Sequence, residues 1–476
     1  MTDPQYDAVV VGSGPNGLVG AITLARAGRR VLLVEAASTI GGGLRSQALT
    51  EPGFTHDVCS TVHALGAVSP AFADLPLAAH GVEWLHPQYP IAHPLDHDRA
   101  VIAHREVAAT SAAFTPHDER AYTRLFAPLV EHADAIVQTL MSPLRPPTHP
   151  LVMAGFGRHA IRSAQALAHA RFEDGDAQAL LAGCAAHAIQ PLTAPGTAGY
   201  GLFLLALAHH SGWPVVKGGS QVLADALAAI LREHGGAIET GREITALAEL
   251  PETPITLLDL TPRQVVRIAG PTLPDRYRRH LERYRYGPGV CKVDWALGEP
   301  IPWTNAAVRG AGTVHVGATL AELAVSEAAV TAGTNPDAPY VIVVQPSVAD
   351  PTRAPTGRHI GWAYCHVPHG SVEDRTAIIE AQIERFAPGF RDTILARHTM
   401  TAPAMETHNA NYVGGDINGG AGDLRQLFTR PVVSAHPWAT PVDGLYLCSS
   451  STPPGGGVHG MGGLHAARLA LRRHRV

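Results

Sequence analysis

The stretch Val11-Gly-Ser-Gly-Pro-Asn-Gly17 carries three glycines spaced G-x-G-x-x-G. The first permits a tight turn, the second allows a pyrophosphate to approach the backbone, and the third lets a helix pack closely on the preceding strand. Free N–H groups at the helix start favour phosphate charge. Glu35 follows 18 residues after Gly17, where an acid can hold a ribose diol and would repel a 2′-phosphate, which disfavours NADP. The residues expected to touch such a dinucleotide are Gly12, Gly14, Pro15, Asn16, Gly17, Glu35 and Ala36. Neither FAD nor NAD is singled out, because both contain adenosine diphosphate.

Fewer residues advertise catalysis. The only two lysines are Lys217 and Lys292. Lys292 lies in Gly289-Val-Cys-Lys-Val-Asp-Trp295, where alternation along a strand puts it on one face with Asp294. Such a pair can serve a reaction or form a solvated ion pair. The 27 histidines are dispersed without H-E-x-x-H or carboxylate-rich spacing, so no metal is assigned. Asp416 and Asn418 read as turn residues.

The elements that must hold these residues begin with the β-branched run Ala8–Val11, which suits a parallel strand buried on both faces. A helix over Pro15–Ala27 stops at Gly28, and Arg30–Glu35 is a second strand. Ile40-Gly-Gly-Gly-Leu-Arg-Ser46 is a second glycine-rich loop. From Phe72 to His210 the pattern is helical and alanine-rich. A nucleotide-domain style returns with a helix over Gln221–His234, N-capped by Ser220. Ala237–Glu239 and Glu243–Leu250 read as a short β pair, Thr256–Leu260 as a strand, and Thr261-Pro262 as a helix start. Strands are expected at Gly289–Leu297, Gly312–Gly317, Tyr340–Gln345 and His359–Val367, then a helix at Ser371–Phe386. A last strand at Gly444–Cys448 leads to the glycine turn Pro454–Gly457 and a helix from Gly462 to Arg473. The simplest organisation is α/β, with a nucleotide domain in three pieces (1–71, 212–283 and 405–476) and a substrate domain in two (72–211 and 284–404).

Composition agrees with a globular enzyme. The chain has 476 residues, is 46% hydrophobic and only 16% charged, which argues against disorder. A formal charge of −5 gives no reason to expect nucleic acid as a partner. The five cysteines are scattered without a C-x-x-C pair, against a disulfide framework or zinc knuckle. The start, from Met1 to Asp7, carries neither a basic nor an apolar leader region. No unbroken apolar run reaches the roughly 18 residues of a spanning helix. A cytoplasmic location is therefore expected. The oligomeric state is not encoded legibly.

Three features occur together: V-G-S-G-P-N-G with Glu35, the loop Gly41-Gly-Gly-Leu-Arg-Ser46, and the C-terminal run from Gly444 through Pro454-Gly-Gly-Gly-Val-His-Gly-Met461 to Gly463. With Glu51–Ser60, Tyr364–His369 and Asn411–Gly420, the chain resembles, over essentially its whole length, the phytoene desaturase and carotenoid isomerase-like FAD-dependent oxidoreductases, in the phytoene dehydrogenase-related branch. The resemblance implies FAD, held by a discontinuous Rossmann-like domain of the glutathione reductase type with an inserted α+β substrate domain. It implies that Gly42, Gly43 and Arg45 lie near the pyrophosphate or flavin, that Ile244 backs the adenine, and that Gly457 and Val458 meet the flavin ring. Where the wider amine oxidase superfamily has a glycine and an acid, this chain has Ser449 and Ser450, so Ser450 would only hydrogen-bond.

On this resemblance the candidate catalytic residues are His459, inside the last glycine turn, His63, in Thr61-Val-His-Ala-Leu65, and Lys292. Tyr364, His366 and His369 could line a cavity. The expected activity is that of a dehydrogenase, desaturase or oxidase moving a hydride from a C–H bond of a largely apolar small molecule to flavin N5, with dioxygen or a quinone as acceptor. A redox-neutral flavin isomerase and an FAD-binding scaffold are the alternatives. A lipid-like substrate leaves membrane contact open, with no basic amphipathic helix to support it.

Overall fold

The computed structural model describes residues 5–143 and 146–474. The reading of the N-terminal leader falls partly on residues 1–4, outside the described residues.

Five short strands form one wholly parallel sheet, in the order Leu445–Leu447, Ile255–Leu258, Ala8–Val11, Val31–Val34, Ala237–Glu239. The first strand is central because it is covered on both faces. Ala8 and Val10 face one apolar cluster, and Val9 and Val11 face another, as expected of a β-branched run without alternation. The helices Pro15–Arg26, Gln221–Glu233 and Met461–Arg473 contribute to the first cluster, and Pro262–Ala269 to the second. The N-terminal and C-terminal helices cross closely. A Cβ at Gly463 would collide with the carbonyl of Asn16. Strands from three distant stretches of chain thus end at one edge.

A seven-stranded mixed sheet lies beside it, in the order Ile394–Met400, Gly289–Leu297, His359–Val367, Val341–Val344, Ala311–Val316, Tyr89–Leu95, Arg99–Ala103. Residues Cys291, Val293, Trp295, Val341, Val343, Ala363 and Cys365 pack on one face with Ile379 and Ile383 of the helix Thr376–Glu384. The alternate residues face the first sheet's cluster or the cleft described below. No helix among the described residues is long and apolar enough to cross a membrane.

Several sequence expectations need correction. The stretch from Phe72 to His210 is not helical throughout. It contains the hairpin Tyr89–Leu95 and Arg99–Ala103, which completes the mixed sheet. Pro90 and Pro94 masked it, since proline usually argues against a paired strand. Glu243–Leu250 forms no strand and holds only a short 3-10 turn at Leu247–Glu249. The helix expected from Ser371 starts at Thr376, where the Asp374 carboxylate accepts the Thr376 amide at 2.8 Å. Ser220 stands at the helix start without capping it. Its hydroxyl donates to the Ser60 carbonyl at 2.6 Å and bonds His63 Nε2 at 2.8 Å.

Candidate functional site

A cleft of about 570 Å³ opens at the carboxyl edge of the parallel sheet. Its nucleotide end is lined by Gly12, Gly14, Pro15, Asn16, Glu35, Ala36 and Ile244. Gly42, Gly43, Arg45, Ser450, Gly457 and Val458 also line it. Backbone geometry explains the glycines. Gly12 has φ 99°, and a Cβ at Gly14 would lie 2.6 Å from Asp259 Oδ2. A Cβ at Gly17 would strike the Gly12 carbonyl, although Gly17 does not itself line the cleft. The helix from Pro15 has no side-chain cap at Gly14, and with no N–H on Pro15 and the Gly17 amide given to Asp259, the Asn16 amide and the helix dipole are what favour an anion.

Glu35 ends the second strand and is buried. It accepts the Ser13 amide and hydroxyl at 2.9 and 2.5 Å and the Ala37 amide at 2.9 Å. Arg45 pairs with it at 3.1 Å and reaches the Thr39 carbonyl at 3.2 Å. Asn16 Oδ1 accepts the Gly462 amide at 3.1 Å, tying the glycine turn to the closing helix. These residues fit an extended dinucleotide: a cradle that Cβ atoms would fill, a helix start with the Asn16 amide beneath a phosphate position, and an acid at the neighbouring strand end.

Asp259 was not singled out by the sequence reading. It follows the strand Ile255–Leu258, lines the cleft, and accepts the Gly17 amide at 2.9 Å. Burial pushes its carboxyl up to about 7, with Glu35 adding repulsion. The available signal was an acid directly after a parallel strand, the same position that Glu35 occupies.

The other end of the cleft is an apolar wing. Strand register derives it. Thr313 pairs with Val344, Val344 with Trp362, and Trp362 with Asp294. One step along, His315 pairs with Ile342, Ile342 with Tyr364, and Tyr364 with Lys292. Both rows share one face. Thr313, Ile342, Val344, Trp362 and Tyr364 line the cleft, joined by His187 and Trp213 from the helical region.

The candidate catalytic residues fare differently. His459 does not line the cleft. Its Nδ1 accepts the Met461 amide at 3.1 Å, and its carbonyl accepts the Ser69 hydroxyl at 2.5 Å. Burial holds it down to about 4. The expectation that it borders the flavin side is corrected: the glycine turn faces the cleft through Gly457 and Val458, and the histidine turns inward to hold the helix start. His63 is likewise buried away from the lining, bonded to Ser220 and 5.7 Å from the Trp84 ring.

Lys292 and Asp294 do share a strand face and form an ion pair, but it is buried rather than solvated. Lys292 Nζ sits 5.5 Å from the Trp362 ring centroid, on the same sheet face as the wing. Burial raises Asp294 to about 6 against the pull of Lys292. His56 Nδ1 lies 3.6 Å from Asp294 and is held down to about 3, by burial first and then by Lys292.

Of the remaining candidates, Tyr364 lines the cleft. His366 instead pairs with Glu327 at 2.9 Å, and His369 bonds the Gly287 carbonyl at 2.8 Å. Asp416 accepts the amides of Gly287, Asn418 and Gly420, as a turn residue would. Ser450 packs directly on Gly419. Among the described residues no group of three or more His, Cys, Asp or Glu is arranged to hold a metal.

Comparison with known proteins bears on the fold. Residues 10–75 match the model of the NAD(P)-binding Rossmann-like domain family. The chain is 28% identical over 569 aligned residues to pyridine nucleotide-disulfide oxidoreductase domain-containing protein 2 of Rattus norvegicus, covering 98% of this chain and 94% of that protein. Among solved structures it is similar to putrescine oxidase bound to putrescine, with a TM-score of 0.64, 18% identity, and 98% and 99% of the two chains covered. It is also similar to cyclohexylamine oxidase from Brevibacterium oxydans, with a TM-score of 0.60, 14% identity, and 99% and 98% covered. The class is thereby defined: a Rossmann-like α/β fold with a second, mixed sheet, shared with these oxidases. The likeness extends over the full length of the chain.

Proposed function

We propose that the protein is an FAD-dependent oxidoreductase that removes a hydride from a C–H bond of a largely apolar organic substrate, with dioxygen or a quinone as the final electron acceptor. FAD, when bound, supplies the hydride acceptor at N5. The oxidoreductase class rests on the fold shared with the two oxidases, on the full-length relative, and on the dinucleotide cradle. The observation that carries the substrate reading is the continuity of the cleft, which joins that cradle to a wing of Trp213, Ile342, Val344, Trp362 and Tyr364.

In this reading Glu35 holds the ribose, and the Asn16 amide with the dipole of its helix holds the pyrophosphate. Lys292, neutralised by Asp294, stiffens the wall beside Trp362. The same reading assigns residues 1–71, 212–283 and 405–476 to a cofactor domain and residues 72–211 and 284–404 to a substrate domain. The phytoene dehydrogenase-related branch belongs to this proposal as well.

The test is anaerobic mixing of FAD-loaded protein with a panel of apolar alcohols, alkenes and amines while the flavin absorbance is followed. Bleaching by a panel member supports the proposal. Conversion of a panel member to an isomer without net bleaching would instead assign redox-neutral flavin chemistry. Tight FAD binding with no turnover across the panel would favour a scaffold.

A further inference from the structure

Among the described residues, the wing of the cleft contains polar groups with no hydrogen-bond partner, among them Nδ1 of His187 and the hydroxyl of Thr313. We infer that His187 and Thr313 read an oxygen atom, a carbonyl or a hydroxyl, on a neutral and otherwise apolar substrate. This deepens the function proposed above and rests on it.

His187 follows the helix Gly175–Ala186 and lines the cleft. Its ring stands nearly perpendicular to Trp213, with centroids 5.4 Å apart, which fixes its plane. Its Nε2 lies 3.0 Å from Nε2 of His315, so one proton sits between the two rings. Which ring donates follows from His315. That side chain is fully buried, and its Nδ1 has no partner. A Cβ built on Gly183 would lie 2.7 Å from that Nδ1 and 2.9 Å from Nδ1 of His93, so the atom faces backbone carbon and a second ring nitrogen to which no hydrogen bond joins it. An N–H there would be a buried donor left unmade, which costs more than a bare lone pair in a hydrophobic setting. His315 therefore carries its proton on Nε2 and donates to His187.

His187 must then carry its own proton on Nδ1. That atom bonds no group among the described residues. Burial keeps both rings well below the ordinary histidine range, so both are neutral. His93 does not disturb the arrangement. Its Nε2 is committed to the Ala318 carbonyl at 2.6 Å. The result is a fixed N–H donor on a ring that lines the apolar wing.

Thr313 is the second group. It lies two residues before His315 on the strand Ala311–Val316, on the same face. It lines the cleft, is almost wholly buried, and its hydroxyl has no partner. Buried hydroxyls are normally satisfied, so an unpaired one in the same cleft wall as the unpaired Nδ1 of His187 points to a ligand atom.

Charge narrows the ligand class. The acids lining the cleft are Glu35, Glu243 and Asp259, all at the nucleotide end. Among the described residues no carboxylate lines the wing. An ammonium group would lose its hydration there without a counter-ion. A carbonyl oxygen would accept from His187, and a hydroxyl could also exchange a hydrogen bond with Thr313.

The experiment titrates the FAD-loaded protein at pH 7 with cyclohexanone and, as a cation of matched shape, cyclohexylamine. The flavin absorbance difference spectrum is the readout. Cyclohexanone should perturb the flavin band. His187→Leu and Thr313→Val should each weaken its apparent affinity about three- to tenfold, the range of a neutral hydrogen bond. His187→Asn, which restores an N–H donor, should recover most of the loss. Cyclohexylammonium should bind at least tenfold more weakly than the ketone. Equal ketone affinity in wild type, His187→Leu and Thr313→Val would overturn the inference. So would ammonium binding as tight as the ketone, or no response to cyclohexanone in the wild type. A wild-type chain that never takes up FAD would sink the cofactor reading before any titration, so the two failures are distinguishable.

Discussion

At its nucleotide end the cleft is made by backbone. Gly12, Gly14 and Gly17 act through what they lack, and the acids Glu35 and Asp259 sit at the ends of the two parallel strands that flank the central one. At its other end the cleft is made by side chains. Thr313, Ile342, Val344, Trp362 and Tyr364 come from three strands of the mixed sheet, and His187 and Trp213 come from a region far away in the chain. The first construction binds a common chemical group and uses local geometry. The second shapes a cavity and depends on register across a sheet. The polar groups follow the same division: carboxylates at one end, unpaired neutral donors at the other.

Breaking the wall beside the wing should have the largest effect. Lys292→Met leaves Asp294 buried without its cation, which costs about 3–5 kcal/mol of stability. Asp294 already stands near 6 because of burial. Lys292→Met also removes the charge and hydrogen bond that hold Asp294 down, so its carboxyl titrates above 6 in the variant, which should recover stability as pH falls from 8 through that range and Asp294 takes up a proton. Denaturant unfolding at pH 8 and pH 5 checks this. An equal loss at both pH values would show that the ion pair is not what holds the wall.

A smaller effect is expected at the nucleotide end. Glu35→Ala removes a charged acceptor worth about 1.5–3 kcal/mol, or roughly ten- to hundredfold in FAD affinity. The chemical step of protein saturated with FAD should be nearly unchanged. Unaltered FAD affinity in a fluorescence titration would show that the acid does not face the ribose.

The smallest effect concerns His459, which separates the two ends. Its Nδ1 supports the first amides of the closing helix, so His459→Ala should cost about 1 kcal/mol, as loss of a helix cap does. Thermal unfolding measures this. The rate of anaerobic flavin reduction should stay at the wild-type value once FAD is saturating. A slowed reduction with unaltered stability would return His459 to the catalytic wing.

The contrast between the ends also explains what could be read in advance. The parallel strands and their glycine turn were legible because each signal is local: a β-branched run, a G-x-G-x-x-G and an acid within 35 residues. The four mixed-sheet strands from Gly289 to Val367 were legible for the same reason. The hairpin at Tyr89–Ala103 was not, because Pro90 and Pro94 contradicted its pairing. Neither were His187 and Thr313. Nothing in their neighbourhoods marks them, and only the register of Ala311–Val316 against Val341–Val344 and the packing of a distant helix bring them together. His459 misled because a glycine-flanked histidine looks exposed to a ligand, whereas the turn presents its backbone and buries the ring. Lys292 was placed on the correct face, but burial depends on layers that a strand's own residues do not reveal.

The central claim is that one extended FAD spans both ends of this cleft. The most direct measurement is the nucleotide released on denaturing the purified, FAD-reconstituted protein, identified by mass and counted against the chain. One FAD per chain, lost in proportion when Glu35 is replaced, is the predicted result. Release of NAD alone, or no bound nucleotide after reconstitution, would contradict the account.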